Sequence, residues 1–284
     1  MSEWERWVGR EEHQVDGLDP ALATRFLATF DLPPRAEGPL PQGVHFCLCI
    51  PETPTRLLGE DGHPHRQGSR MGLLPPLPLP RRMWAASSLT FHRPIAVGDA
   101  IERSSRIASI EEKAGSSGAL VFVAIDHAIT AEGELAVAER QTLVFREAAP
   151  ADAPLSPPVS GAPGFDPEEW ETHRAIVPDA RLLFRYSALT FNSHRIHYDV
   201  PYARDVERYR GLVVHGPLTA SLLLQVAAAQ FGDNRLARFA FRGLSPAIAG
   251  ERLHLVMRGG GELIELAAFA DDGRQIVRAE AGLA

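Results

Sequence analysis

A chain of 284 residues with 45% apolar content is long enough for about two domains with full cores. Its net charge of −7 argues against nucleic acid as a partner, because phosphate binding needs a basic surface. No uncharged apolar run reaches about 18 residues, which argues against a membrane-spanning helix, and the opening MSEWERWVGREEH has no signal-peptide core, so the expected location is cytoplasmic. Lys113 is the single lysine, so arginine must recognise any anion and Schiff-base chemistry has almost no candidate.

In chain order, PALATRFLATF (20–30) predicts a short amphipathic helix with Asp19 as its N-cap. Residues 44–50 read as a strand, which would place Cys47 and Cys49 on one side. They are expected to be reduced core thiols, with metal or redox use as the alternative. Residues 61–84 carry too much Gly and Pro for regular structure and form an ordered loop or a lid. Within it, LLPPLPLP is expected to pack as a stiff wall rather than serve a polyproline-binding partner, and His63 and His65 are expected to be solvated.

From Ser87 the pattern is sheet-like, with turns at Gly98-Asp99, 115–118 and Gly133. A stretch with five prolines, 148–165, separates a unit of residues 1–147 from one of residues 166–284. The two units repeat one another. PIAVGDAI from Pro94 matches PAIAGERL from Pro246, GELAVAE from Gly133 is echoed by GRQIVRAE from Gly273, and ALVFVAIDHAI answers to ELIELAAFA.

Only the second unit carries a helix that is apolar on nearly every face, LTASLLLQVAAAQF, which must therefore be buried all round. Pro217 suits its first turn and Gly232 its close, predicting a helix over 217–231. Its first N–H groups lack intrahelical acceptors and sit at the positive end of the helix dipole, beside His215 and Gly216. A polar constellation, TFNSHRIHYD from Thr190 to Asp199, precedes it and offers a base.

FNSHRIHYDVPYA with RGLVVHGPL resembles the active-site region of the MaoC-like hydratase and dehydratase family. Within it, the likeness is to the tandem hot-dog branch of mesaconyl-C4-CoA hydratases, itaconyl-CoA hydratases and type 2 thioester dehydratases. LPPLPLPRRMWAASSLTFHRPIAVGD and KAGSSGALVFV extend the resemblance over most of the chain. It implies an α+β fold of two hot dogs, each an antiparallel sheet wrapped around a helix, with a non-catalytic first unit and a catalytic second one. It also implies a hydro-lyase of acyl-CoA thioesters that needs no cofactor and no metal, with the two halves pairing and a homodimer compatible with the pattern.

The resemblance places His197 as base, Gly216 as the N–H donor to the thioester carbonyl, and Asn192 where the wider family has Asp. An amide can position water but cannot take its proton. His194, Asp199 and His215 are auxiliary candidates; a metal reading of His194, His197 and Asp199 matches no standard site. Tyr198 and Tyr202 are expected to pack. A substrate carboxylate would call for an arginine, with Arg195 first and Arg82, Arg204 and Arg242 after it. Trp84 is a candidate for the acyl pocket or an ordinary core residue. The implied reaction is hydration of a short branched dicarboxylic enoyl-CoA, with citramalyl-CoA as the other side of the equilibrium. The alternatives are dehydration of 3-hydroxyacyl thioesters, thioester hydrolysis, which Asn192 in place of an acid disfavours, and non-catalytic acyl-CoA binding.

Overall fold

A computed structural model describes residues 3–65, 72–115 and 118–284. Ten strands form one sheet in the order β1-β3-β4-β5-β2-β7-β10-β9-β8-β6. In the first half these are β1 (Glu11–Gly17), β2 (Arg81–Phe91), β3 (Ala100–Gly115), β4 (Gly118–Ala131) and β5 (Glu134–Arg146). The second half supplies β6 (Thr172–Ile176), β7 (Leu236–Gly243), β8 (Leu253–Gly260), β9 (Leu263–Ala270) and β10 (Gln275–Leu283). The order mirrors itself about the β2–β7 seam, where Ala86 pairs with Arg242 and Thr90 with Arg238. This is the internal repeat of the sequence made physical: the two matching five-strand halves of the sheet meet edge to edge, so neither leaves its central edge unpaired.

The repeat extends to α1 (Pro20–Thr29) and α2 (Ala180–Leu189), capped alike by Asp19 on the Leu22 N–H and by Asp179 on the Leu182 N–H. It does not extend to α3 (Gly216–Phe231), whose residues from Leu218 to Ala227 are all buried. Gly232, at φ 95°, ends that helix in a backbone conformation that suits glycine. The inner face of the second half packs on α3. Part of the inner face of the first half is covered instead by the Pro-rich segment, whose Leu73, Leu77 and Leu79 are buried against Ile107, Val121, Val123, Ile125 and Phe145. Proline supplies no backbone N–H, so this wall needs few hydrogen-bond partners beneath the sheet.

Two expectations from the sequence change. Residues 44–50 are not a strand: Val44–Cys47 is a 3₁₀ turn, entered through Gly43 at φ 105° and followed by Cys49 at φ 50°, so positive-φ residues flank it. Cys47 and Cys49 are both buried free thiols, and burial pushes Cys47 up to about 12, so neither is an activated nucleophile. Residues 81–84 are strand, not loop, because β2 pairs with β5 from Arg81 onward. Residues 66–71 of the predicted loop lie outside the described residues. Finally, residues 147–166 are irregular but pinned: Ser156 exchanges backbone bonds with Arg208 and Arg210, and Gly164 N–H donates to Asp271.

Candidate active site

The polar constellation is shaped by the end of α2. Phe191 takes a left-handed φ of 47°, and the Asn192 N–H donates to the Ser187 carbonyl at 2.9 Å, which reverses the chain. Asn192 Oδ1 then accepts the His194 N–H at 2.9 Å, which fixes the amide and leaves its NH₂ to meet a ligand. A 3₁₀ turn, Arg195–His197, carries the next ring inward.

His197 is 7% exposed, and its Nδ1 lies 2.7 Å from the Val213 carbonyl. A carbonyl only accepts, so Nδ1 bears the hydrogen and Nε2 keeps an unprotonated lone pair. Val213 is itself held: its N–H donates to Ile196 at 2.9 Å and it bridges to Ile248. His215, the N-cap of α3, stacks on His197 with ring centroids 3.6 Å apart and planes at 19°, and its Nε2 reaches the Ser187 hydroxyl at 2.9 Å. Two cations could not share that contact. Burial pushes His197 down to about 4 and His215 well below its ordinary value, so both rings are neutral near pH 7. Gly216 opens α3 beside them, with an N–H that has no intrahelical acceptor.

Other sequence candidates fall differently. Asp199 faces Arg195, at 2.8 Å, and the Tyr202 N–H, not His197; the group that orients His197 is the Val213 carbonyl. Arg195 lies at the cavity wall, but its guanidinium is held by Asp199 and the Glu60 carbonyl and sits 4.1 Å over the Tyr202 ring. Arg204 is exposed on the turn Tyr202–Val206 and does not line the cavity. Arg82 and Arg242 line it, and Trp84 both lines it and packs on Phe46 and Phe241. Tyr202 is buried, whereas Tyr198 is half exposed and donates its hydroxyl hydrogen to the Ser193 carbonyl.

His63 is not solvated. The loop at 59–65 docks on the constellation: Arg195 N–H donates to the Asp61 carbonyl and Ser193 Oγ to the Gly62 carbonyl, while Asp61 holds His63 Nδ1 at 2.9 Å. The His63 ring lies 4.1 Å from that of His194, which burial and the neighbouring histidines push far below its ordinary value. Asp61, His63 and His194 present ligand atoms within 4.8 Å of one another, and Asp61 and His63 already satisfy each other. His194, His197 and Asp199 form no such group among the described residues.

His63, Asn192, His194, His197, His215 and Gly216 line one cavity of about 1850 Å³, which runs from His197 and Gly216 under the sheet of the first half. That size exceeds the ~300–1,000 Å³ of ordinary small-ligand pockets and suits a long thioester. Its far wall was not singled out from the sequence: His45, Arg103, Ser105, His127, Glu139 and Gln141. Arg103 and Ser105 occupy inward strand positions between Ile101 and Ile107 on β3, and Glu139 and Gln141 between Val137 and Leu143 on β5.

A double hot-dog whose helix N-terminus and neutral histidine share one cavity defines a MaoC-like hydro-lyase, and the chain belongs to the family described as hydroxyacyl-thioester dehydratase type 2, whose model matches residues 43–249. It is 41% identical over 276 residues to a mesaconyl-C(4)-CoA hydratase of Chloroflexus aurantiacus, covering 96% of this chain and 95% of that protein. A MaoC-like dehydratase structure superposes with a TM-score of 0.71 at 16% identity, covering 98% of each chain. A Mycobacterium tuberculosis protein with a double hot-dog fold does so with 0.57 at 14%, covering 97% of this chain and 96% of that one.

Proposed function

We propose that this chain adds water across the double bond of a short branched dicarboxylic enoyl-CoA, mesaconyl-C4-CoA or itaconyl-CoA, giving citramalyl-CoA. The observation that carries the reading is the identity of 41% over nearly the full length to a mesaconyl-C(4)-CoA hydratase. The geometry of His197 supports it. Its Nε2 lone pair takes a proton from water as the hydroxyl oxygen bonds to the β-carbon, and the Asn192 NH₂ orients that water. Charge moves onto the thioester oxygen, where the Gly216 N–H at the start of α3 receives it. For mesaconyl-C4-CoA, whose double bond is conjugated to the thioester, the imidazolium, disfavoured by burial, returns its proton to the α-carbon and completes the addition; itaconyl-CoA instead needs that proton at its methylene carbon.

On this reading residues 166–284 supply the chemistry and residues 1–147 complete the acyl pocket. A second reading, dehydration of 3-hydroxyacyl thioesters, is favoured by the description of the family model. The same groups serve both directions. The test is incubation with mesaconyl-C4-CoA, itaconyl-CoA and crotonyl-CoA, following mass gain of one water and thiol release. Hydration without thiol release, reduced about 10²–10⁴-fold in His197→Ala, is expected. Thiol release without water addition would refute the mechanism.

A further inference from the structure

The far wall of the cavity is a belt of polar side chains set into an otherwise apolar sheet. On β3, Arg103 and Ser105 lie between buried Ile101 and Ile107. Ser105 pairs with His127 of β4, and His127 with Glu139 of β5. The Ser105 hydroxyl lies 2.8 Å from His127 Nδ1, and Glu139 accepts from the Ser87 hydroxyl at 2.5 Å. Below the belt, the 3₁₀ turn Val44–Cys47 contributes His45, which is 2% exposed and whose Nε2 has no partner.

Arg103 is the centre of the belt. Its acceptors are all uncharged: the Gln14 amide oxygen at 2.5 Å and the carbonyls of Cys49 and, at 3.5 Å, Leu48. Its buried Nε–H donates to nothing. A guanidinium largely removed from water and given only neutral acceptors is costly, and an arriving anion recovers that cost. Glu139, Glu12 and Asp16 all act on Arg103 electrostatically. Asp16 is turned to the N–H groups of Gly17 and Cys49. Burial raises Glu139 to about 7, so near neutral pH it is only partly ionised as a counter-ion. Burial and the charge of Arg103 hold His45 at about 3 and His127 at about 4, both neutral and able to donate.

The belt also lies beside the helix start. The Trp84 carbonyl stands 3.7 Å from where a Cβ of Gly216 would be, and the Trp84 indole N–H donates to Ser87, which donates to Glu139. One tryptophan thus spans from beside Gly216 to the belt. We propose that Arg103, with His45 beside it, is the subsite for the free carboxylate of a dicarboxylic acyl-CoA, so that the first half selects the acyl group.

This rests on the dicarboxylate reading above, and the experiment separates the two. The ratio of kcat/KM for mesaconyl-C4-CoA to that for crotonyl-CoA is measured in the wild type, Arg103→Gln and Arg103→Lys. The ratio is expected to fall about 10- to 100-fold in Arg103→Gln, mainly through KM for the dicarboxylic substrate, because a charge-assisted hydrogen bond is lost. Arg103→Lys keeps the cation and the folded core but loses the planar fork, and is expected to show a smaller fall. An unchanged ratio in both variants, or equal loss for both substrates, overturns the subsite while leaving the functional reading intact. Should Arg103→Gln not fold, an unchanged ratio in Arg103→Lys overturns it alone. A wild type that hydrates crotonyl-CoA in preference to the dicarboxylate overturns both.

Discussion

Mild acid should destabilise this protein steeply, and the reason is its buried histidines. His45, His127 and His197 are held at about 3, 4 and 4, and His194 and His215 are also pushed down, in every case first by burial. Between the unfolded value of 6.5 and about 4, the unfolded chain therefore binds five protons that the native chain does not. Stability must rise with pH in that window and fall as pH drops through it. Glu139 works the other way: raised from 4.5 to about 7, it holds a proton in the native state that the unfolded state releases. The net is about four protons. At about 1.36 kcal/mol per proton per pH unit, stability falls by about 5 kcal/mol per unit below pH 6. A protein stable by about 5 kcal/mol thus has little left near pH 5, and one stable by about 15 kcal/mol loses about a third of its stability. Urea unfolding followed by tryptophan fluorescence and circular dichroism from pH 5 to 8 measures the slope. His127→Gln should reduce it by about one proton. A flat profile between pH 5.5 and 6.5 would refute the assignment of these rings as neutral and buried.

Two further outcomes follow from packing. Gly62 sits at φ 87° with Ser193 O only 1.8 Å from where a Cβ would lie, so Gly62→Ala must lift the loop at 59–65 off the constellation. A fall in kcat/KM of up to about 10²-fold, with the circular dichroism spectrum unchanged, is expected, and wild-type activity would show that the docked loop does not position the site. Leu223 is fully buried at the centre of α3, and Leu223→Ala should cost about 2–5 kcal/mol in urea unfolding. A loss under 1 kcal/mol would mean that the helix is not the core element described.

The sequence made α3 legible because a helix apolar on every side has one physical solution, and Pro217 and Gly232 mark its ends. The candidates His197 and Gly216 came from the resemblance of FNSHRIHYDVPYA and RGLVVHGPL to the MaoC-like pattern, and the structure brings both to one cavity. The short turn at 44–47 was not, since six or seven apolar residues fit a strand or a buried turn equally, and only the backbone reversal at Gly43 decides between them. His63 was not placed because its partner His194 lies far along the chain, and a histidine in a Gly/Pro loop carries no mark of where the loop docks. Arg103, His127 and Glu139 were missed for another reason. Polar residues alternating along a strand read as its solvent face until the neighbouring strands show that the same positions point inward.

The asymmetry between the halves follows from these same contacts. In the second half α3 fills the inner face of the sheet from Leu218 to Ala227, leaving space only at its N-terminus. In the first half the Pro-rich wall covers the far end and α1 with the turn at Val44–Cys47 the near end, and the polar belt lies in the gap between them. A helix laid across that gap would seal Arg103 and Glu139 against apolar side chains, at the cost of burying charge without a partner. Packing stiff prolines at one end and a short turn at the other keeps the gap open. The proposed chemistry then needs the second half for its base and helix terminus, and the first half for the acyl group it accepts. Neither half encloses the whole cavity, so in the proposed chemistry the β2–β7 seam, rather than either half alone, sets the spacing between the base and the acyl subsite.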